Sequence, residues 1–385
     1  MIFTLLGTET SILRLLPEHV IKYSVTSACK IYRKIQWMVI AASLTICVPV
    51  YFGATFIADK IFSKPYLSFY FALASVFVVF RSLMLLNTQA TRGLKLIRVF
   101  AFMQVLPTGL NILLLILLTT FLYSNNIPVY TMLASTAFTG IIGWIIIEYT
   151  LNKKMQIQEP VHLMPARTIL SISLPMSMTS TVKMAIAQTG IVMLSIFQSE
   201  AEVGYYSIAV KLAMLTMFGM KIISTMSAPK YSELFYAGKL DELFYVAKKV
   251  TKITFWLTTP VLIGFVILGK PLLFYVYGDT FTAAYPALLV LAVGQIVNLL
   301  TGDNGTFLNM TGRQNIYMGC SVLALIINVI VNILLTPKIG ILGTALAAML
   351  STSFLNLSAN VYMKAKYGQT TAYFPLSLSL FRSGT

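Results

Sequence analysis

The sequence predicts an all-α, polytopic transmembrane helix bundle, and three observations carry that prediction. Apolar residues make up 57% of the chain and charged residues only 10%, against about 45 to 50% and about a quarter in soluble domains. The apolar stretches are continuous rather than alternating, so they read as helices in lipid and not as barrel strands. Several motifs also recur in the same order, which points to two parallel copies of one helical unit.

Ten segments reach the roughly 20 mainly apolar residues that span a hydrocarbon core. They are 36–58, 67–86, 98–123, 128–149, 168–198, 203–228, 250–269, 282–304, 315–336 and 340–363. Pro49, Pro107, Pro175 and Pro260 fall inside them, which a bundle tolerates because neighbouring helices re-satisfy the freed backbone groups.

Orientation follows from the basic residues, which concentrate in cytoplasmic loops. Arg14, Lys22, Lys30, Arg33 and Lys34 lie on one side with Arg92, Lys95, Arg98, Lys153, Lys154 and Arg167. The same side holds Lys230, Lys239, Lys248, Lys249, Lys252, Arg313, Lys364, Lys366 and Arg382. The other side has Lys60, Lys64, Lys270 and Lys338, so the richer side is predicted to be cytoplasmic.

The repeat is legible in spacing. Gly7 and Pro17 match Gly219 and Pro229, ten residues apart in each copy; Arg92 and Asn111 match Arg313 and Asn332, nineteen apart in each. Basic pairs follow, Arg33 with Lys34 and Lys248 with Lys249, and each leads to a span with a tryptophan near its start, Trp37 and Trp256. The predicted lobes are 1–166, holding the end of a second helix and four spans, and 167–385, holding six spans and a short cytoplasmic tail. Ten complete spans of an expected twelve are therefore present. On this reading MIFTLLG is the tail of a helix whose beginning is absent, and the chain is truncated at its N-terminus.

The net charge of +16 would suggest nucleic acid in a soluble protein, but here the cations separate apolar runs, and no nucleic-acid partner is expected. Cys29, Cys47 and Cys320 have no CxxC spacing, and only His19 and His162 could join them; no metal, cofactor or disulfide framework is expected. The twelve acids are scattered, no Ser/His/Asp grouping has usable spacing, and no Gly-rich phosphate loop occurs. The outer loops have no room for a polymerase or ligase site, so the chain is not expected to be an enzyme.

Charge inside lipid is what remains. A lysine at the bilayer centre costs about 2.5 to 3.5 kcal/mol on insertion scales, so it should face a cavity or a partner. Lys183, midway through its span, is the leading candidate; Lys211, Lys221 and, at an inner cavity mouth, Arg14 are the others. Arg81 reads as an interfacial anchor. Glu9 and Asp303 are candidates for pairing with a base or for ion coupling. Gln295, Asn298 and Gly302 share a helix face, as do Asn328 with Asn332 and Gln104 with Asn111; cavity lining and interhelical bonding remain open for each set.

These residues resemble a family. PMSMTSTVKMAIAQTGIVMLSIFQSEAEVGYYSIAVKLA (175–213) is similar to the signature hairpin of polysaccharide (O-antigen) flippases of the multidrug/oligosaccharidyl-lipid/polysaccharide exporter (MOP) superfamily. LFYVYGDTFTAAYPALLVLAVGQ (273–295), MTGRQN (310–315) and ETSILRLLPEH (9–19) resemble that family's outer-loop motif, a cytoplasmic turn and the close of its second helix. The resemblance implies two six-helix lobes working by alternating access. It also implies a cargo of lipid-linked oligosaccharide on an undecaprenyl diphosphate carrier, moved from the cytoplasmic to the periplasmic leaflet of a bacterial inner membrane. Membrane lipids, a polysaccharide polymerase and other assembly proteins would be its partners. A multidrug/cation antiporter of the same fold is the alternative, disfavoured because the embedded charge is basic rather than acidic.

Overall fold

Backbone amides and carbonyls cannot be left unpaired in hydrocarbon, so a chain this apolar must close its hydrogen bonds within helices. The computed structural model describes residues 2–122, 124–154 and 161–375; Arg382 and the end of the predicted cytoplasmic tail lie outside them. Among the described residues there are α-helices and short π and 3-10 turns, and no strand.

The chain divides into two units, Met1–Ser177 and Met178–Thr385. The division falls inside one helix, near Pro175, rather than in the polar linker ahead of it.

Unit 1 contains α1 (Ile2–Leu5), α2 (Thr8–Lys22), α3 (Val25–Phe52), α4 (Ala54–Phe56), α5 (Ser68–Gly93), α6 (Ile97–Phe121), α7 (Ile127–Lys154) and the first part of α8 (Ala166–Phe197). Helix α5 is the hub, packing on α2, α3, α6 and α7. The core joins Ile12, Leu15 and Leu16 of α2 to Tyr32 and Ile35 of α3, Leu86 of α5, Ile147 of α7 and Ile169 of α8. One polar chain crosses it: Tyr32 Oη donates to Asn87 Oδ1 at 2.9 Å, and Asn87 Nδ2 donates to the Gly140 carbonyl at 2.9 Å. That chain fixes the register of α3, α5 and α7 against one another, because a misaligned helix would strand a buried amide.

Unit 2 contains the rest of α8, then α9 (Glu200–Leu215), α10 (Met217–Tyr236), α11 (Leu240–Tyr277), α12 (Tyr285–Thr301), α13 (Asn304–Met310) and α14 (Gln314–Tyr367). Here α12 is central, packing on α9, α11 and α14. Helix starts carry expected caps. Ser24 accepts from the Ser27 amide at 3.1 Å, and Ser199 accepts from the Glu202 amide at 3.4 Å with Glu200 and Glu202 in the first turn.

Eight helices of the described chain are long and apolar enough to cross a membrane, or nine if α9 and α10 form one bent span. The ten segments read from the sequence count 315–336 and 340–363 separately, and these are the two arms of α14, whose backbone leaves helical values at Ile339 and Gly340. The chain reverses there: Thr336 Oγ1 lies 3.0 Å from Thr344 Oγ1, and Asn328 Nδ2 donates to Ser351 Oγ at 3.1 Å, so the arms pack on each other as a helical hairpin. At about 1.5 Å per residue each arm is long enough to span a hydrocarbon core. The repeat is visible in local geometry too. Helices α1 and α2 are separated at Leu6 and Gly7, both at positive φ, and α9 and α10 meet at Thr216 with a 43° bend. Proline lies inside the helix that follows each break, Pro17 in α2 and Pro229 in α10.

Gly7 has φ +77°, and a Cβ there would fall on the backbone carbonyl of Ser173. This close approach lets Ser11 Oγ and Ser173 Oγ share a 2.6 Å hydrogen bond between α2 and α8. Gly7→Ala is expected to destabilise the protein by about 2 kcal/mol or more, since left-handed backbone costs a non-glycine residue roughly 1 to 2 kcal/mol before any clash. Gly109, inside α6 with open space around it, should tolerate alanine. Thermal unfolding of the two variants in one detergent tests this; equal midpoints would contradict the packing described.

Candidate functional site

A charge half-way along an apolar helix needs a polar or aromatic surrounding, and Lys183 of α8 has both. Its ammonium lies 4.8 Å from the centre of the Tyr317 ring of α14, within the range where a cation is attracted to an aromatic face by roughly 0.5 to 2 kcal/mol. Gly305 makes room for that ring, since a Cβ there would meet Tyr317 carbons at 2.8 to 2.9 Å. Asp303, between α12 and α13, is the charged neighbour of Lys183; its Oδ1 accepts from the Thr306 amide at 3.1 Å and caps α13.

Lys183, Asp303 and Tyr317 line a cavity of about 310 Å³ within unit 2. Tyr206 of α9, Met214 of α9, Met217 and Met220 of α10 and Met349 of α14 form its softer walls. A ladder of amides runs along the remaining side. Asn298 Nδ2 donates to Gln295 Oε1 at 3.4 Å, Asn356 Nδ2 to Asn298 Oδ1 at 3.1 Å, and Asn304 Nδ2 to the Asn356 carbonyl at 3.2 Å. Asn360 Nδ2 and Thr371 Oγ1 both donate to Asn304 Oδ1, at 3.1 and 2.8 Å. The wall therefore combines a cation, a carboxylate and several amides. Such a set can hold an anionic group and hydroxyl-rich ligands through directional hydrogen bonds. No group of three or more His, Cys, Asp or Glu suited to a metal occurs among the described residues.

A family profile described as "Polysaccharide biosynthesis protein" matches residues 18–286. The chain belongs to this family. One curated relative of this polysaccharide biosynthesis protein is a probable low-salt glycan biosynthesis flippase, Agl15, from Haloferax volcanii, 23% identical over 185 residues. That alignment covers 46% of the chain and spans 39% of the relative's length. Solved structures share the fold. A MOP superfamily transporter from Pyrococcus furiosus, whose title describes a binding pocket of reverse polarity, has a TM-score of 0.73 at 13% identity, over 94% of this chain and 84% of the other. A Vibrio cholerae MATE transporter in its bent form has a TM-score of 0.69 at 14% identity, over 94% of this chain and 84% of the other.

Of the residues singled out from the sequence, Lys183 and Asp303 both line the cavity, with Gln295, Asn298 and Gly302 on its wall. Lys211 and Lys221 are exposed on α9 and α10 and are not among the lining residues. Arg14 and Glu9 belong to unit 1. Arg14 is buried and pairs with Glu18 at 3.4 Å one turn on, whereas Glu9 keeps a buried carboxylate oxygen with no hydrogen-bond partner among the described residues. Asn328 and Asn332 serve helix packing: Asn328 donates to Ser351 Oγ at 3.1 Å, and Asn332 donates to the Asn328 carbonyl at 2.9 Å. Sequence reasoning missed Asn304, Asn356 and Tyr317. The four-residue spacing of Asn356 and Asn360 was a signal for the ladder; nothing marked Tyr317 among twenty tyrosines.

Asn356→Ala removes the donor to Asn298 and loosens the backbone acceptor of Asn304 beside it. Leaving buried amides unpaired costs about 1 to 3 kcal/mol, so a lower thermal midpoint is expected, with Asn356→Gln intermediate. Unchanged unfolding of Asn356→Ala would show that the ladder is not coupled as described.

Proposed function

We propose that the chain is a transporter that flips a lipid-linked oligosaccharide, carried on undecaprenyl diphosphate, from the cytoplasmic to the periplasmic leaflet by alternating access. Its setting is the inner membrane of a bacterium, and its cargo an O-antigen or similar polysaccharide repeat unit handed on to a polymerase and other assembly proteins. The observation that carries this reading is the cavity in which, among the described residues, Lys183 is the one lining cation and amides supply much of the remaining polar surface. A lysine at membrane depth is a point charge suited to a phosphate, and amides pair with sugar hydroxyls while the prenyl chain stays in lipid.

Family membership and the flippase named as a relative support this assignment. The Pyrococcus furiosus transporter, with its reverse-polarity pocket, offers a fold-level parallel for a binding pocket whose charge departs from that of other transporters. Lys211, Lys221 and Arg14 are assigned auxiliary contacts with the cargo's anionic head at stages when they reach it. Glu9 and Asp303 are assigned to charge pairing or ion coupling. Asp303 also favours a second reading, a cation antiporter of the same fold, since a carboxylate in the cavity would attract a cationic substrate.

Replacing Lys183 by Ala in a strain lacking its own flippase is expected to reduce surface polysaccharide at least about tenfold at normal protein level, with Lys183→Arg retaining part of it. Full polysaccharide from Lys183→Ala would refute the role of Lys183. Loss of organic-cation efflux on Asp303→Asn, with polysaccharide intact, would favour the antiporter.

A further inference from the structure

Helix α11 carries a second cluster that the cavity does not use. Along it Tyr245, Lys248, Lys249, Lys252, Ile253, Trp256 and Leu257 are exposed, while Leu243, Phe244, Ala247, Thr251, Thr254 and Thr258 are buried. The exposed set recurs at three and four residues, so it is one continuous stripe. It forms one wall of an open groove whose opposite lip is Tyr373. The lip is fastened by the protein itself: the Tyr373 amide donates to the Leu300 carbonyl at 2.9 Å, Thr371 Oγ1 to the Thr301 carbonyl at 2.9 Å, and Gln369 Nε2 to Asp241 Oδ1 at 3.0 Å. Trp256 Nε1 donates across the groove to Tyr373 Oη at 3.3 Å, and Lys252 lies 5.9 Å from the Tyr373 ring centre.

The same place in unit 1 gives an internal comparison. Arg33 and Trp37, one turn apart on α3, line a groove with Trp144 and Glu148 of α7. Lys252 and Trp256 are likewise one turn apart on α11. In unit 1 the cation is neutralised within the protein, because Arg33 Nε donates to Glu148 Oε1 at 2.8 Å and Nη2 to Glu148 Oε2 at 2.5 Å. In unit 2 none of Lys248, Lys249 and Lys252 has a carboxylate within ion-pair distance among the described residues; the nearby acids are engaged elsewhere, Glu242 with Lys239 at 3.6 Å and Asp241 with Gln369.

We propose that this groove binds the headgroup of an anionic phospholipid of the surrounding bilayer. Three unneutralised ammonium groups within about 6 Å of helix rise face one phosphate-bearing head, Trp256 and Tyr373 sit where aromatic rings hold the level of the glycerol backbone, and the stripe continues toward the hydrocarbon. Leu257, Val261, Ile267 and Leu268 remain exposed along α11 and offer an acyl chain a continuous track. That apolar continuation selects a lipid over a free phosphate, and the basic end is the one the charge distribution assigns to the inner leaflet. The site lies apart from the cavity of Lys183, so cargo movement and lipid binding are separable.

Purified full-length protein in nanodiscs tests the proposal, with phosphatidylglycerol or phosphatidylcholine titrated in and the retained lipid counted by native mass spectrometry. Wild type is expected to prefer phosphatidylglycerol, and Lys248→Ala/Lys249→Ala/Lys252→Ala to lose about tenfold of that preference. Lys364→Ala/Lys366→Ala, which removes two exposed lysines outside the groove, should keep it. A second measurement needs no lysine variant: headgroup-spin-labelled phosphatidylglycerol should quench wild-type tryptophan fluorescence more than that of Trp256→Phe. Equal binding of both lipids, or full preference in the triple variant, overturns the assignment. So does displacement of phosphatidylglycerol by inorganic phosphate at similar concentration, which would mark a free-anion site, or exclusive retention of a polyprenyl diphosphate lipid, which would mark a cargo site.

Discussion

A positive charge placed midway along an apolar helix constrains everything around it. Lys183 can sit at that depth only because Tyr317 offers a ring face, Gly305 leaves space for the ring, and the break between α12 and α13 brings Asp303 to the same wall. Each provision comes from a different element, so unit 2 must be closed correctly for the lysine to be tolerated at all. The amide ladder extends the same logic. Once polar groups are drawn inward they have to satisfy one another, and Asn298, Asn304, Asn356 and Asn360 do so across α12, α13 and α14. The hydrogen bonds that line the cavity are thus also ones that hold unit 2 together.

Much of the fold was legible because lipid leaves few choices. Long apolar runs with no alternation must be helices, and the matched spacing of Gly7 with Pro17 and of Gly219 with Pro229 marked corresponding segments of the two copies in the letters alone, though not the breaks at Leu6–Gly7 and Thr216. The turn at Ile339 and Gly340 reads in sequence as a short loop between two spans, and the backbone leaves helical values there while Thr336 and Thr344 meet across the reversal. The division near Ser177 was harder to read: composition changes at the polar linker, whereas packing changes inside the following helix.

The site was half legible. Lys183 stood out because a mid-span lysine is costly, and Gln295 with Asn298 stood out by spacing. Lys211 and Lys221 carry the same charge on equally apolar helices but are not among the residues that line the cavity; long side chains snorkel, so charge within a span does not by itself mark a cavity residue. Arg14 reads in sequence as a cation at an inner cavity mouth, and the helix places its side chain on Glu18 one turn on. Tyr317 contributes through where its ring lies, a property its letter does not carry.

Four methionines, Met214, Met217, Met220 and Met349, line the cavity together with the amides. An unbranched thioether with several rotatable bonds conforms to irregular neighbours where a branched side chain would resist. The cavity therefore pairs stiff lining groups with compliant ones. The hydrogen-bonded amides hold their directions while the thioethers yield in volume, so the cavity can change size without rearranging its polar groups.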